Sequence, residues 1–301
     1  MTDVPSVSFV SDVKKRCVVC DAGMSCCVKD YFICNACGYM SSNLCEGYGA
    51  EVGGIDDVRM KNYIEICNII KKHFPSRTRI LDVGCASGLF LKIAQNEGFN
   101  VVGLEPDFSN AFNARAQGFE VINGFFPDAE QLAGQTFDVV IFNDSFEHIP
   151  DTGHVIQGVK RCLKEDGVVV INVPSSKGLI FTLSLLMSKL GIISPLERLW
   201  QKGFSSPHLH YFNPENLELL FEKYSFLSVY HTSLKCYTLD KLWKRIKHGS
   251  PFLKAFVVWS CMVMFYPFYN LLKSRSDITV SFFRYHCPNS TKAKPQPENT
   301  I

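Results

Sequence analysis

Near the start of the chain the cysteines come in two short pairs, CVVC at 17 to 20 and CNAC at 34 to 37, with thirteen residues between them. That spacing gathers Cys17, Cys20, Cys34 and Cys37 as the closed, tetrahedral ligand set of a structural Zn2+ ribbon. Gly38 suits the tight turn that aims backbone N–H groups at sulfur, and Tyr31 to Ile33 reads as the strand leading into it. An iron–sulfur cluster uses the same ligands, so the metal stays open. Four thiolates leave no coordination position for a substrate, which points the ribbon to folding, docking or substrate contact.

A second constellation is ILDVGCASGLFLKIAQNEGFNVVGLEPD, residues 80 to 107. Gly84 and Gly88 let backbone pass close to a ligand, and Glu105, ending the second apolar run, can accept two hydrogen bonds from a ribose diol. NAD and S-adenosylmethionine both carry that ribose. A dinucleotide site needs G-x-G-x-x-G, whereas this chain has Gly84, Ala86 and Leu89 there. Leu89 obstructs the close helix packing of a third glycine, so a nicotinamide-dependent oxidoreductase ranks third among the readings. Histidines supply the remaining chemistry: FEHIPD holds Glu147 and His148, and PHLH holds His208 and His210.

These groups need a scaffold. With 301 residues, 47% hydrophobic and 20% charged, the chain can bury a full core. A formal charge of +2 gives no general pull toward nucleic acid, which is not expected as a partner. The opening MTDVPSVSFVSDVKKRC lacks the basic and apolar regions of a secretion signal, so a cytoplasmic setting and reduced thiols are expected. From residue 58 helical and strand periods alternate. VRMKNYIEICNIIKKHF has helical spacing, while RILDVG, NVVGLEP, FEVING, FDVVIFND and GVVVINVP are short β-branched runs. Such alternation predicts an α/β fold with a doubly wound parallel sheet and a ligand crevice beyond the strand C-termini. The expected organisation is a zinc-ribbon head over 1–45, a linker over 46–57 and a catalytic domain over 58–287. Within that domain lie an apolar lid at 179–200 and an apolar helix at 255–272; a polar, proline-bearing tail at 288–301 is expected to be disordered.

The pattern resembles the class I S-adenosylmethionine-dependent methyltransferases. DVGCASG keeps Asp82, Gly84 and Gly88 of their first motif, D-x-G-x-G-x-G, with Ala86 for the middle glycine. VVGLEP is similar to the ribose-binding strand, TFDVVIFNDSFEHIPD to the fourth strand and its loop, and LKEDGVVVINVPS to the fifth. PHLHYFNPENLELLFEKYSF resembles the segment that follows in a branch acting on sugars, lipids and quinone precursors, whose members often carry an N-terminal zinc ribbon. The resemblance implies a seven-stranded, mostly parallel, Rossmann-like sheet and S-adenosyl-L-methionine as cofactor. Asp82 and the backbone of Gly84, Cys85, Ser87 and Gly88 would hold its methionine end, Glu105 the ribose hydroxyls, Pro106 one side of the adenine and Asn143 the amino acid portion. Many relatives carry an acid after the third strand for the adenine amino group. Here Phe125 stands at that place, and stacking by Phe125 or Phe126, or Asp128, would have to compensate.

Methyl transfer from a sulfonium is a direct displacement, so a hydroxyl acceptor calls for alignment and a base. His148 is the first candidate and His210 the second. Asp144, Glu147 and His148 also resemble the E-x-x-E-H pattern of ubiquinone-biosynthesis O-methyltransferases, a potential ion site with Asp for the first Glu. The stretch 255–272 is uncharged, yet a crossing there would put the last two strands, 226–234 and 277–285, on opposite sides of a bilayer. Two readings stay open for 241–272: a core helix with a solvated basic approach, or an interfacial anchor on the cytoplasmic face of a membrane, since 241–254 holds five Lys or Arg and no acid. The expected function is methyl transfer to a hydroxyl of a small or lipid-linked acceptor. The alternative is an inactive methyltransferase-fold scaffold that binds a partner or membrane.

Overall fold

The computed structural model describes residues 15–45, 56–76, 78–236, 239, 242–247, 252–271 and 277–287. Most of the expected linker and the whole expected tail lie outside these residues. Three short strands open the chain, β1 (Met24–Val28), β2 (Tyr31–Cys34) and β3 (Met40–Ser42). Helix α1 (Asp56–His73) leads into β4 (Arg79–Val83), α2 (Leu89–Asn96), β5 (Asn100–Glu105), α3 (Phe108–Ala116), β6 (Glu120–Asn123) and β7 (Phe137–Asn143). Then come α4 (Thr152–Cys162), β8 (Leu163–Pro174), α5 (Leu179–Lys189), α6 (Ser194–Leu199), β9 (His210–Tyr211), α7 (Pro214–Glu222) and β10 (Phe226–Leu234). The remaining elements are α8 (Leu242–Lys247), α9 (Phe252–Leu271) and β11 (Ile278–Tyr285).

Seven strands form one sheet in the order β10-β11-β8-β7-β4-β5-β6. Its inner strands are parallel, and β11 runs antiparallel to both β8 and β10. The expected doubly wound, mostly parallel sheet is therefore present. The order reverses between β4 and β7, which opens the crevice at their C-terminal ends. Both strands are buried on each face, except at Arg79, around Ile80, Leu81 and Val83 of β4 and Phe137, Val139, Val140, Ile141 and Phe142 of β7. One face packs against α4 and α7 through Val155, Ile156, Leu217 and Phe221. The opposite face packs against α1, α2 and α3 through Ile66, Ile70, Leu91 and Ala114. Local signals fix the helix starts: Asp107 caps α3, Asp151 caps α4, and Asn213 with Asn216 forms a capping box ahead of Pro214 in α7.

The cysteine ribbon does not stand apart as a head. Its three strands continue into β9 of the large domain, giving a second sheet in the order β1-β2-β3-β9. Tyr31 stacks on Trp200 with ring centroids 4.9 Å apart, and Met40, Phe181, Leu196 and Tyr211 complete that small core. The expected lid, resolved as α5 and α6, thus rests on the ribbon. The apolar helix α9 packs on α5 and α8 around Leu179, Leu242 and Tyr269. No helix among the described residues is long and apolar enough to cross a membrane.

Candidate active site

Beyond the C-terminal ends of β4, β7 and β8 lies a cavity of about 810 Å³. Its first half is built on the bend after β4. Gly84 has φ +78°, and a Cβ there would come 2.8 Å from the Cβ of Ser145. Ser145 in turn donates to the carbonyl of Val83 at 2.6 Å, tying the β7 loop to the bend. Ala86, in the place of the middle glycine, also takes a left-handed conformation, φ +46°, at a cost of about 1 kcal/mol. Glu105 braces that conformation: its Oε2 accepts from the Ala86 N–H and its Oε1 from the Asp107 N–H, each at 2.9 Å. A carboxylate offers about four acceptor positions, so the same group can serve a ribose diol.

Of the remaining expected cofactor residues, Pro106 lines the cavity with Gly84, Ala86 and Glu105. Asn143 stands behind the wall: it donates to Asp82 Oδ1 at 3.1 Å and accepts from Asn172 Nδ2 at 3.3 Å. Its amide is spent on fixing Asp82, and Asn172 faces the cavity instead. Cys85, Ser87 and Gly88 likewise support the bend without lining the cavity; Gly88, at φ +93°, starts α2. Phe125 and Phe126 both line the cavity, the first half-exposed and the second buried, whereas Asp128 pairs with His154 away from it. Helix α1 brings a residue that the motifs missed, Arg59, whose Nε lies 3.3 Å from Asp144 at the cavity edge. Its signal was only a cation at the start of an amphipathic helix, with nothing to say which strand end it would meet.

In the second half, residues 146–148 form a single 3-10 turn. His148 Nδ1–H donates to the carbonyl of Pro207 at 2.9 Å, which makes Nε2 the basic nitrogen. Burial holds this imidazole below its ordinary pKa and therefore neutral near pH 7. Glu147 is buried without a hydrogen bond to either carboxylate oxygen. Burial and then the charge of Asp144 push its pKa well up, so it holds a proton. His208 Nε2 is 3.8 Å from Glu147 Oε1, and burial followed by the neighbouring His148 keeps it neutral. Glu147, His148 and His208 offer ligand atoms within 4.8 Å of one another. The potential ion site thus takes His208 in place of Asp144, which is paired to Arg59.

His210, the second candidate base, lies outside the cavity. Its Nε2–H donates to the carbonyl of Ile149 at 2.9 Å and its Nδ1 accepts from the Tyr39 hydroxyl. With both nitrogens engaged it is placed as a strut. Burial outweighs its bond to Ile149 and brings its pKa down to about 4. Since the fold disfavours the charged ring, the unfolded chain binds this proton more readily. Stability is full above about pH 6.5 and falls as pH drops toward 4, by up to about 3 kcal/mol for His210. His208 acts in the same direction, and Glu147, whose pKa is raised, opposes them as pH rises from its unfolded value. Urea unfolding near pH 7 and near pH 5 should show a lower midpoint at the acid pH, and His210→Gln should flatten the difference.

The four cysteine sulfurs also lie within 4.8 Å of one another, with Cys17 and Cys37 3.6 Å apart and Cys20 and Cys34 3.4 Å apart. Tetrahedral zinc with bonds near 2.3 Å needs sulfurs about 3.8 Å apart, so the residues fit that ion. At Cys34 burial is outweighed by the N–H groups of Cys37 and Ala36, and the thiol falls to about 7.

Sheet order, bend and strand-end acid together define a Rossmann-like methyltransferase. The chain belongs to the methyltransferase-domain family, whose pattern matches residues 59–230, more than half its length. Within it the resemblance is to class I S-adenosylmethionine-dependent enzymes. The mitochondrial ubiquinone biosynthesis O-methyltransferase of Bos taurus is 25% identical over 193 residues, 59% of this chain and 50% of that protein. The ubiquinone biosynthesis O-methyltransferase of Rickettsia canadensis is 28% identical over 141 residues, 45% of this chain and 58% of that protein. This chain spans about half the length of the curated relatives it matches. A solved S-adenosylmethionine-dependent methyltransferase of Archaeoglobus fulgidus shares 19% identity at a TM-score of 0.45, covering 73% of this chain and 93% of that one.

With the cofactor family in view, Glu105→Ala should weaken S-adenosylmethionine binding by about 2–4 kcal/mol, a roughly 30- to 1,000-fold loss, if the carboxylate takes the two ribose hydrogen bonds that the family resemblance implies, since the brace on Ala86 goes with them. Isothermal calorimetry reads this directly.

Proposed function

We propose that this chain transfers a methyl group from S-adenosylmethionine to a hydroxyl of a small or lipid-linked acceptor of sugar, quinone or isoprenoid type. One observation carries the reading: the Nδ1–H bond of His148 to Pro207 leaves Nε2 basic on a side chain that lines the same cavity as Gly84 and Glu105. Bound there, the cofactor supplies an electrophilic methyl on a positive sulfur. Glu105 holds the ribose, and Arg59 offers its charge to the cofactor carboxylate. His148 takes the hydroxyl proton as the acceptor oxygen attacks, and the buried wall of Glu147, Phe181 and Tyr211 excludes water. The four cysteines hold a structural Zn2+ that fixes the ribbon.

A second reading of the wall is favoured by the partnerless carboxylate of Glu147 beside two imidazoles: a divalent cation on Glu147, His148 and His208 would polarise the acceptor oxygen. Turnover unchanged by a chelator that leaves the four-cysteine site filled removes it.

Lipid-linked acceptors are supported by the outside of the lid. Leu186 of α5, Leu190 and Ile192 just after it, and Phe252, Leu253, Val257 and Met264 of α9, are exposed, while Ile180 and Met262 of the same two helices line the cavity. In sequence, α9 is preceded by the basic stretch 241–254, a composition that suits an anionic bilayer. Salt-sensitive flotation with anionic liposomes is expected. The function itself is tested by incubating extract with isotopically labelled methyl donor and analysing products by mass spectrometry. Cofactor binding without a labelled product would favour the inactive scaffold.

A further inference from the structure

We infer that Tyr39 and His210 are positioning residues that let the cysteine ribbon set the orientation of His148. This rests on the proposed role of His148 for its consequence in catalysis, but not for its structural content. Segment 207–211 is held between two partners. On one side lies the ribbon: Met40 and Ser41 pair with Tyr211 and His210, the Ser42 N–H donates to Leu209 O at 2.9 Å, and Ser42 Oγ donates to His208 O at 2.8 Å. On the other side lies the base loop: the Leu209 N–H donates to Glu147 O at 2.9 Å, and His148 Nδ1–H to Pro207 O at 2.9 Å.

The His210 side chain links the two across the segment by hydrogen bonds. Because His210 Nε2–H donates to Ile149 O, its Nδ1 must accept, and the donor is Tyr39. Tyr39 is buried and its carbonyl accepts from the Cys34 N–H at 2.8 Å, so its place follows from the knuckle that bears Cys34 and Cys37. The path runs from the knuckle through Tyr39 and His210 to the residue next to His148. Its physical effect is on the tautomer: while the segment and the loop are locked, Nδ1 keeps its proton and Nε2 stays basic.

The test uses the full chain with S-adenosylmethionine, labelled with nitrogen-15 in histidine, and the His148 signals assigned by their absence from His148→Gln. Wild type should show His148 protonated at Nδ1. Tyr39→Phe keeps the ring packed on Phe212, at 5.3 Å between centroids, and removes only the donor. We expect it to shift His148 toward a mixture of tautomers and to lower kcat roughly tenfold through misplacement of the base, with cofactor affinity within about twofold of wild type. His210→Ala should do the same, and His210→Gln, whose amide can donate to Ile149 and accept from Tyr39, should restore both readouts. Unchanged His148 signals in Tyr39→Phe and His210→Ala would overturn the inference, as would joint loss of cofactor binding and melting temperature, which would make the pair a general fold support. If the tautomer shifts as expected while His148→Ala turns over normally, the strut stands and the assignment of the base falls.

Discussion

Replacing His148 by alanine is expected to lower kcat by about a hundredfold or more, the range for loss of a positioned general base, while S-adenosylmethionine binds as in wild type. The two effects separate because the residues proposed to hold the cofactor, Gly84, Ala86, Glu105 and Pro106, belong to other elements than the turn carrying His148. Activity against pH gives the sign. Burial holds the imidazole below its ordinary value near 6.5, so the base is neutral and competent above that pH, and kcat/KM should fall only on the acid side. His148→Ala should remove that acid limb along with the rate. Calorimetry with the cofactor and a pH series with a labelled methyl donor measure both; full turnover by the variant would sink the base assignment.

Local spacing made one part of this site readable from sequence, and long-range pairing hid the other. Gly84, Gly88 and Glu105 sit within one strand–helix–strand unit, where periodicity fixes which end of the sheet they reach. The same holds for the four cysteines, whose pairs lie in adjoining turns. Strand β9 has two residues and joins Met40 to Tyr211 across the chain; no period can announce so short a pairing. Without β9 the sequence offers His210 as a second base, whereas its nitrogens belong to Tyr39 and Ile149. The E-x-x-E-H resemblance makes Asp144 the metal partner of Glu147 and His148, which would require the three to share one helical face at i, i+3, i+4. The turn at 146–148 is a 3-10 turn preceded by Asp144 at φ +50°, and that kink sends the carboxylate to Arg59 while His208 comes in from elsewhere. Asn143 shows the same limit on a smaller scale: its position at the end of β7 was legible, but not that Asp82 and Asn172 would claim both ends of its amide.

If the four cysteines hold Zn2+ as proposed, its removal is expected to have the largest effect on stability of any single treatment. Structural zinc contributes its binding energy to folding, about 10–16 kcal/mol in small zinc domains. In this chain the ribbon is not a detachable module. Cys17, Val19, Cys34 and Tyr39 belong to the same buried cluster as Phe142, Phe146 and Phe212 of the large domain, and Tyr31 covers Trp200. Purified protein should contain about one zinc per chain by elemental analysis, or iron with visible absorption if a cluster occupies the thiolates. Stripping the ion with a strong chelator should lower the melting temperature by roughly 10 °C or more, given a loss of several kcal/mol from a domain of this size. It should also shift tryptophan emission to the red as Trp200 meets water, and Cys34→Ser should reproduce both changes. Metal-free protein that keeps its melting temperature and emission would show that the ribbon folds on its strands and aromatic contacts alone, with four reduced thiols that happen to lie together.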